Sequence, residues 1–248
     1  MSEETDREEH DEHDRAYDAV FWDIGGVLLD LASVREAHAA FVARLVEEFD
    51  VDADPDDALE RWREVVGEHF RTREGTEFRS AVDGYGEAVD VVVGREVPRD
   101  EWFPLFREST REHVQSVPHA REVVRRLHEA GVYQGVVSDV DTEEGLFLLE
   151  QFGVREFLDD VTTSEEVGKT KPNPAMFETA LAKSPHPPER TVMVGDRYEH
   201  DVAGAAEHGI DGVSHGADDG PAVAHEITDL RELLAVVGVD TAAGEVSR

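Results

Sequence analysis

The feature that most constrains the fold is a regular alternation of amphipathic helices and short apolar runs after Pro118. An earlier apolar run at 17–22 has the same character. Such alternation is typical of a parallel sheet with helices packed on both faces. We therefore predict an α/β fold with a doubly wound, Rossmann-like parallel sheet. The predicted strands are 17–22, 133–137, 161–163, 191–194 and 210–213, and the predicted helices are 120–130, 143–152, 174–183, 201–208 and a terminal one beginning near Thr228.

Polar side chains follow three of these predicted strands directly. Asp23 ends the first run and is followed within three residues by Gly25 and Gly26, while Ser138 and Asp196 end two later runs. In open parallel sheets, ligands bind beyond the carboxyl ends of the strands. Each residue alone fits a turn or a helix cap. Together they predict a site at one edge of the sheet.

Residues from about 35 to 114 have apolar side chains at helical spacing, without convincing strand alternation. A short run at 91–93 is ambiguous between helix and strand. Tyr85, between two glycines, is a candidate for the tip of this unit, and a plain turn at this position is an equal alternative. We predict an all-helical insertion over 33–112, placed between the first strand and the rest of the sheet.

The charge balance excludes some functions and suggests a habitat. Acidic residues number 58 against 24 basic ones, which gives a net charge of −34. Lysine occurs only at positions 169, 171 and 183, and dispersed acid with arginine in place of lysine suggests a high-salt cytoplasm, where salt screens self-repulsion. Binding to nucleic acid is disfavoured, because nothing in the chain would neutralise a run of phosphates.

Hydropathy, cysteine content and the two ends of the sequence narrow the class of protein further. No apolar run reaches the roughly 18 residues that suggest a membrane span, and there is no cysteine for disulfides or thiolate metal sites. The acidic, polar stretch 1–16 predicts a disordered tail rather than a secretory signal peptide, and 237–248 a polar tail. We expect a cytoplasmic protein, a monomer or homodimer, that acts on a small molecule.

Four motifs, taken in order, carry a family resemblance. They are Phe21-Trp-Asp-Ile-Gly-Gly-Val-Leu28, Val136-Val-Ser-Asp139, Gly168-Lys-Thr-Lys-Pro-Asn-Pro174 and Val194-Gly-Asp-Arg-Tyr-Glu-His-Asp201. Each is loose, but the ordered set resembles the haloacid dehalogenase superfamily of hydrolases over about 17–214. The resemblance implies strand order 5-4-1-2-3, a core of 17–32 and 113–236, and a type 1 helical cap over 33–112.

The resemblance also implies roles for individual residues. Asp23 corresponds to the nucleophile that forms an aspartyl-phosphate, and Ser138 and Lys171 to the groups that bind the phosphoryl oxygens. Of the two nearby lysines, the Gly-x-x-Lys-Pro spacing favours Lys171 over Lys169. Gly26 allows the substrate to approach closely. The expected Mg²⁺ would take oxygen ligands from Asp23, the Gly25 carbonyl, Asp196 and Asp201.

Gly25 departs from the phosphatases of the family, which usually carry an acid-base Asp at this position. Loss of a positioned acid-base typically costs about 10² to 10⁴ in rate. Three interpretations stay open: a phosphatase of small monoesters that uses water or another residue, a 2-haloacid dehalogenase that needs no leaving-group acid, or a weakly active ligand-binding protein. Asp139 and Asp141 are candidates for a replacement acid-base. Because a carboxylate would repel phosphate, we expect the Asp139 side chain to point away from it.

Overall fold

The computed structural model describes residues 15–216 and 219–239, which form a parallel sheet and a separate group of helices. The predicted tail 1–16 lies largely outside these residues, as does most of 237–248. Arg15 is buried, the Ala16 N–H donates to the Val237 carbonyl, and Val237 itself is buried in the last helix. In the described part of the chain, no helix is long and apolar enough to cross a bilayer.

Six parallel strands make up the sheet. They are β1 (Ala19–Trp22), β2 (Tyr133–Ser138), β3 (Asp160–Thr163), β4 (Thr191–Gly195), β5 (Asp211–His215) and β6 (Val223–Ile227). Their spatial order is β3-β2-β1-β4-β5-β6. Starting from the β6 edge, the same order contains the expected sequence 5-4-1-2-3, with β6 added outside β5. The predicted parallel α/β fold is confirmed.

The central strands are buried on both faces because their apolar residues alternate between two cores. In β1, Val20 and Trp22 pack into the larger core, while Phe21 packs into the smaller one on the opposite face. In β4, Val192 and Met193 divide in the same way. Continuous apolar runs are what such doubly covered strands require. This explains why the runs in the sequence lack a polar–apolar alternation.

Helices cover both faces of the sheet. They are α5 (Ala120–Glu129), α6 (Thr142–Gln151), α7 (Ser164–Val167), α8 (Pro174–Lys183), α9 (Ala203–Ala206) and α10 (Glu232–Val237). The helix predicted over 201–208 is divided into a short π-helix, Tyr198–Val202, and α9. The terminal helix begins four residues after Thr228, because the Glu232 carboxylate accepts hydrogen bonds from the backbone N–H groups of 228 and 229.

Four further helices lie between β1 and β2 in the chain: α1 (Leu31–Glu48), α2 (Pro55–Arg71), α3 (Ala81–Val93) and α4 (Arg99–His113). They enclose their own apolar core, in which Phe41, Trp62, Trp102 and Phe106 are buried. We call α1–α4 and their connections the helical unit. The ambiguous run at 91–93 belongs to α3.

The glycines around Tyr85 mark close helix packing instead of the expected turn. Both lie inside α3, and a Cβ on Gly84 would come within 2.8 Å of the His69 ring. The Tyr85 ring stacks on Trp62 at a centroid distance of 5.3 Å. The local signal of two glycines is therefore overridden by packing, since a missing side chain lets α2 and α3 approach each other.

The acidic composition has a measurable consequence for stability. With a net charge of −34, repulsion between carboxylates favours the unfolded chain unless salt screens it. We expect the melting temperature to rise by several degrees or more between about 0.1 and 3 M KCl. Thermal melts monitored by circular dichroism at constant pH measure this, with tetramethylammonium chloride as a second salt to separate screening from ion-specific effects. A flat or falling melting temperature would refute the high-salt interpretation.

Candidate active site

The strand order places the polar strand ends side by side. β1 lies between β2 and β4, so Asp23 lies between Ser138 and the Gly195–Asp196 turn. The Asp23 N–H continues the ladder to β4 by donating to the Val194 carbonyl at 3.0 Å. This geometry brings together Asp23, Ser138, Lys171, Asp196 and Asp201, which are far apart in the sequence.

Asp23 is held through one of its two carboxylate oxygens. Oδ1 accepts hydrogen bonds from the Ile24 N–H and the Ser138 hydroxyl, both at 2.8 Å, and lies 3.0 Å from the Lys171 ammonium. Burial raises the pKa of Asp23 to about 6, although the positive charge of Lys171 opposes this shift. The nearby ammonium of Lys171 favours the ionised carboxylate, which is the form that a nucleophile requires.

Lys171 is fully buried, which is rare for a lysine, and it is surrounded by compensating groups. Its ammonium contacts Asp201 Oδ1 at 2.6 Å and Asp23 Oδ1, and donates to the Val137 carbonyl at 2.8 Å. Burial alone would lower the pKa of Lys171, but the Asp201 and Asp23 carboxylates outweigh it and raise the pKa. Lys171 is thus a permanent positive charge at the site. Lys169, two residues earlier, pairs instead with Glu77 of the helical unit.

Three carboxylates form a cluster suited to a divalent cation. Ligand oxygens of Asp23, Asp196 and Asp201 all lie within 4.8 Å of one another. Burial and the charge of Asp201 raise the pKa of Asp196, as expected for a carboxylate among other carboxylates. Hard oxygen ligands of this kind are those that Mg²⁺ prefers. The donor set therefore fits the metal that the sequence predicts.

Two glycines make this cluster possible. Gly26 has φ +70°, and a Cβ there would lie 2.0 Å from Asp196 Oδ2. A Cβ on Gly195 would lie 2.1 Å from the Asp201 Cβ. The Gly26 N–H donates to the Leu29 carbonyl within the loop. What Gly26 provides in this conformation is therefore room for Asp196, rather than a free hydrogen-bond donor for the substrate.

Asp201 belongs to the carboxylate cluster and also holds neighbouring groups in position. One oxygen faces Lys171, and the other accepts a hydrogen bond from the Arg197 N–H at 2.9 Å. Burial opposes ionisation, but the Lys171 charge dominates and lowers the pKa of Asp201. Asp201 therefore fixes both the lysine and the turn that carries Asp196.

A cavity of about 260 Å³, which we call the nucleophile cavity, opens over Asp23. Gly25, Asp196 and Leu31 line it, so the position of the missing acid-base faces the cavity. An added Cβ on Gly25 would meet only Leu31 Cδ2, at 3.8 Å. A Cβ at position 25 would therefore make only ordinary van der Waals contact.

Arg197, which was not among the residues predicted from the sequence, lines the same cavity. Its guanidinium donates a hydrogen bond to Asp139 Oδ2 at 2.9 Å. The other oxygen, Asp139 Oδ1, accepts a hydrogen bond from the backbone N–H of Lys171 at 2.8 Å. Both oxygens of Asp139 are thus occupied, although the residue lines the cavity. The available signal for Arg197 was its position next to Asp196. Asp141 does not line the nucleophile cavity, and its Oδ2 accepts the Ala81 N–H at the start of α3.

Comparison with known proteins shows which family this chain resembles. The sequence profile of the haloacid dehalogenase-like hydrolases matches residues 17–209. A glyceraldehyde 3-phosphate phosphatase from Methanothermobacter thermautotrophicus is 27% identical over 202 residues, covering 79% of this chain and 84% of that protein. A ribulose-1,5-bisphosphate 5-phosphatase from Halopiger xanaduensis is 29% identical over 198 residues, covering 79% and 83%.

Solved structures share the fold. A HAD-hydrolase from Bacillus subtilis with bound magnesium superposes with a TM-score of 0.70 at 20% identity, covering 90% of this chain and 99% of that one. The solved structures with this fold include a phosphatase and L-2-haloacid dehalogenases, so the fold alone does not separate the two chemistries. Because the family profile spans most of the chain, this protein belongs to the haloacid dehalogenase-like hydrolases.

Proposed function

We propose that the protein is a magnesium-dependent phosphatase of small phosphate monoesters that works through an aspartyl-phosphate on Asp23. The observation that carries this proposal is the cluster of Asp23, Asp196 and Asp201 around a buried lysine. A phosphate ester is a dianion, so attack by a carboxylate requires positive charge close by. The phosphatase names of the two relatives support the same chemistry.

In the proposed first step, Asp23 attacks phosphorus and the bond to the leaving alcohol breaks. Oδ1 is already held by Ser138 and the Ile24 N–H, whereas no donor in residues 15–216 and 219–239 is hydrogen-bonded to Oδ2. We therefore assign Oδ2 as the attacking oxygen. In this step Lys171 neutralises charge at the phosphoryl group, and the Ser138 hydroxyl, which lines the cavity, turns from Asp23 toward a phosphoryl oxygen. Water then attacks the aspartyl-phosphate, which releases phosphate and regenerates Asp23.

Asp23, Asp196, Asp201 and the Gly25 carbonyl are the residues that we propose to hold Mg²⁺ directly or through water. A bound Mg²⁺ supplies charge neutralisation for the transferring phosphoryl group. Since position 25 carries no acid, protonation of the leaving alcohol falls to water or to another group. Substrates with acidic leaving groups are therefore expected to react fastest.

We further propose that the helical unit is a cap over 33–112, on a core of 17–32 and 113–236. The contacts that support this are the Asp141–Ala81 hydrogen bond and ion pairs of Arg107 with Glu143 and Glu144, at 3.1 and 2.6 Å. These contacts hold the unit against the edge of the sheet where the site lies. The cap would exclude water and supply groups that recognise the rest of the substrate.

A 2-haloacid dehalogenase is the second candidate, and the observation that favours it is Gly25. Displacement of halide from carbon requires a carboxylate nucleophile but no acid for the leaving group. The acidic cluster weighs against this candidate, because halide displacement has no need of a divalent cation. Phosphatase chemistry accounts for Asp23 and Asp196 together.

Parallel assays of p-nitrophenyl phosphate and 2-chloropropionate test the choice, each with Mg²⁺ or with EDTA in about molar KCl. The phosphatase proposal predicts phosphate release that EDTA abolishes, and no chloride release. Chloride release that ignores EDTA, without phosphate release, would establish the dehalogenase instead. Absence of both products over a broad screen of phosphate esters would favour the non-catalytic, ligand-binding interpretation.

A further inference from the structure

A second cavity adjoins the nucleophile cavity. It has a volume of about 300 Å³ and shares the side chains of Asp139 and Arg197 with its neighbour. Its remaining wall comes partly from the helical unit, through Arg73, Phe78 and Arg79. A volume near 300 Å³ is at the lower end of small-molecule sites. We call it the arginine cavity.

Its charges are unusual for this protein. Three guanidinium groups, those of Arg73, Arg79 and Arg197, line it together with two carboxylates, Asp139 and Asp141, and no other charged residue. Three positive and two negative charges leave one net positive charge, in a chain whose net charge is −34. The nucleophile cavity has the opposite balance, with three carboxylates and only Arg197.

The positive charges of Arg73 and Arg79 have no carboxylate partner in the described part of the chain. Arg73 is half-buried, and its side chain makes no hydrogen bond or ion pair with residues 15–216 or 219–239. Arg79 donates through Nη1 to the His69 carbonyl and to the Thr72 hydroxyl, each at 2.6 Å, and both acceptors are neutral. The two carboxylates of the cavity have other partners: Asp139 pairs with Arg197 and accepts the backbone N–H of Lys171, and Asp141 accepts the backbone N–H of Ala81.

The segment that carries Arg73 and Arg79 is hydrogen-bonded to the loop that carries Lys171. The Thr170 N–H donates to the Thr76 carbonyl at 2.8 Å, and the Phe78 N–H donates to the Gly168 carbonyl at 3.1 Å. The Asn173 amide adds a hydrogen bond to the Thr76 hydroxyl at 2.8 Å. These bonds fix the arginine cavity relative to the nucleophile, as recognition of one substrate across both cavities requires.

We infer that Arg73 and Arg79 bind a second anionic group, a phosphate or a carboxylate, of a substrate whose ester phosphate lies at Asp23. The substrate class is then a small, doubly anionic phosphate ester, such as a sugar bisphosphate or a phosphorylated hydroxy acid. Guanidinium groups suit both anions, because their planar donors match the oxygens of either group. This inference rests on the proposed function, since it takes the ester phosphate to be bound beside Asp23.

Binding of phosphonates, which the enzyme cannot hydrolyse as esters, tests the inference without turnover. Isothermal titration calorimetry on the full chain with Mg²⁺, at one fixed KCl concentration, compares propylphosphonate with 3-phosphonopropionate and propane-1,3-diphosphonate. We expect at least one of the two double anions to bind about tenfold more tightly than propylphosphonate, because a charge-assisted hydrogen bond contributes on that scale. Which one binds more tightly distinguishes a carboxylate from a phosphate as the second group.

Substitution of the two arginines then tests whether they cause the preference for the double anion. Arg73→Met and Arg79→Met should each reduce the preference for the double anion several-fold. Arg71→Met is the matched control, because Arg71 ends α2 with a side chain 68% exposed and paired with Glu68 outside both cavities. Equal affinity for all three phosphonates would overturn the inference, as would a preference that survives in the Arg73→Met/Arg79→Met double variant. Failure of the proposed function would appear differently, as intact phosphonate preference without phosphate release from any ester.

Discussion

Asp23→Asn is expected to reduce phosphate release by roughly 10⁴-fold or more, because an amide is not a competent nucleophile toward phosphorus. The substitution should leave the fold intact. The amide oxygen can still accept the hydrogen bonds of the Ile24 N–H and the Ser138 hydroxyl that Oδ1 accepts now. Initial-rate assays with p-nitrophenyl phosphate and a double-anion ester measure the loss.

A matched control lies at the other end of the same strand. Asp18 precedes β1 and pairs with Arg190, at 2.8 and 3.0 Å, away from both cavities. Asp18→Asn should keep its rate within a few-fold of the wild type. If Asp23→Asn retained comparable activity, Asp23 would not be the nucleophile, and the proposed mechanism would fail.

Lys171→Met is expected to produce the second large effect, on both stability and rate. Removing one partner of a buried ion pair leaves uncompensated charge, which typically costs about 3 to 5 kcal/mol. Here two carboxylates, Asp23 and Asp201, would lose their shared cation. Loss of fixed positive charge at a phosphoryl site should also lower kcat by about 10² to 10³.

Lys169→Met is the control for that experiment. Lys169 pairs with Glu77 at the surface, and exposed ion pairs contribute only about 0 to 1 kcal/mol. Urea denaturation in EDTA gives the free energy of unfolding of both variants, and steady-state kinetics with Mg²⁺ gives kcat. Equal effects of the two substitutions would contradict the assigned role of Lys171.

The sequence predicts the fold and the polar strand ends well, because both depend on local patterns. A buried strand that delivers Asp23 or Asp196 to the edge of a parallel sheet is recognisable without knowing its neighbours. Lys171 was separable from Lys169 only through motif spacing. The structure adds the reason for that choice, since one lysine is buried between two carboxylates and the other pairs at the surface.

Other features depend on contacts between distant segments, and the sequence gives little sign of them. β6 carries His225 and Glu226 at a sheet edge, so its pattern lacks the apolar run of a central strand. Gly84 resembles a turn signal, but its role is visible only when α2 and α3 are packed together. Arg73 and Arg79 resemble ordinary surface charges until the backbone pairing near Thr76 places them beside the site.

The most direct test of the central claim is to trap the phosphorylated enzyme. Rapid acid quench of the protein with ³²P-labelled substrate and Mg²⁺, followed by digestion and mass spectrometry, locates any covalent phosphate. The account predicts label on the peptide that contains Asp23, stable in acid and released by hydroxylamine as an acyl phosphate should be, and no label in Asp23→Asn. Label on another residue, or steady phosphate release with no label at any quench time and no loss of rate in Asp23→Asn, would contradict it.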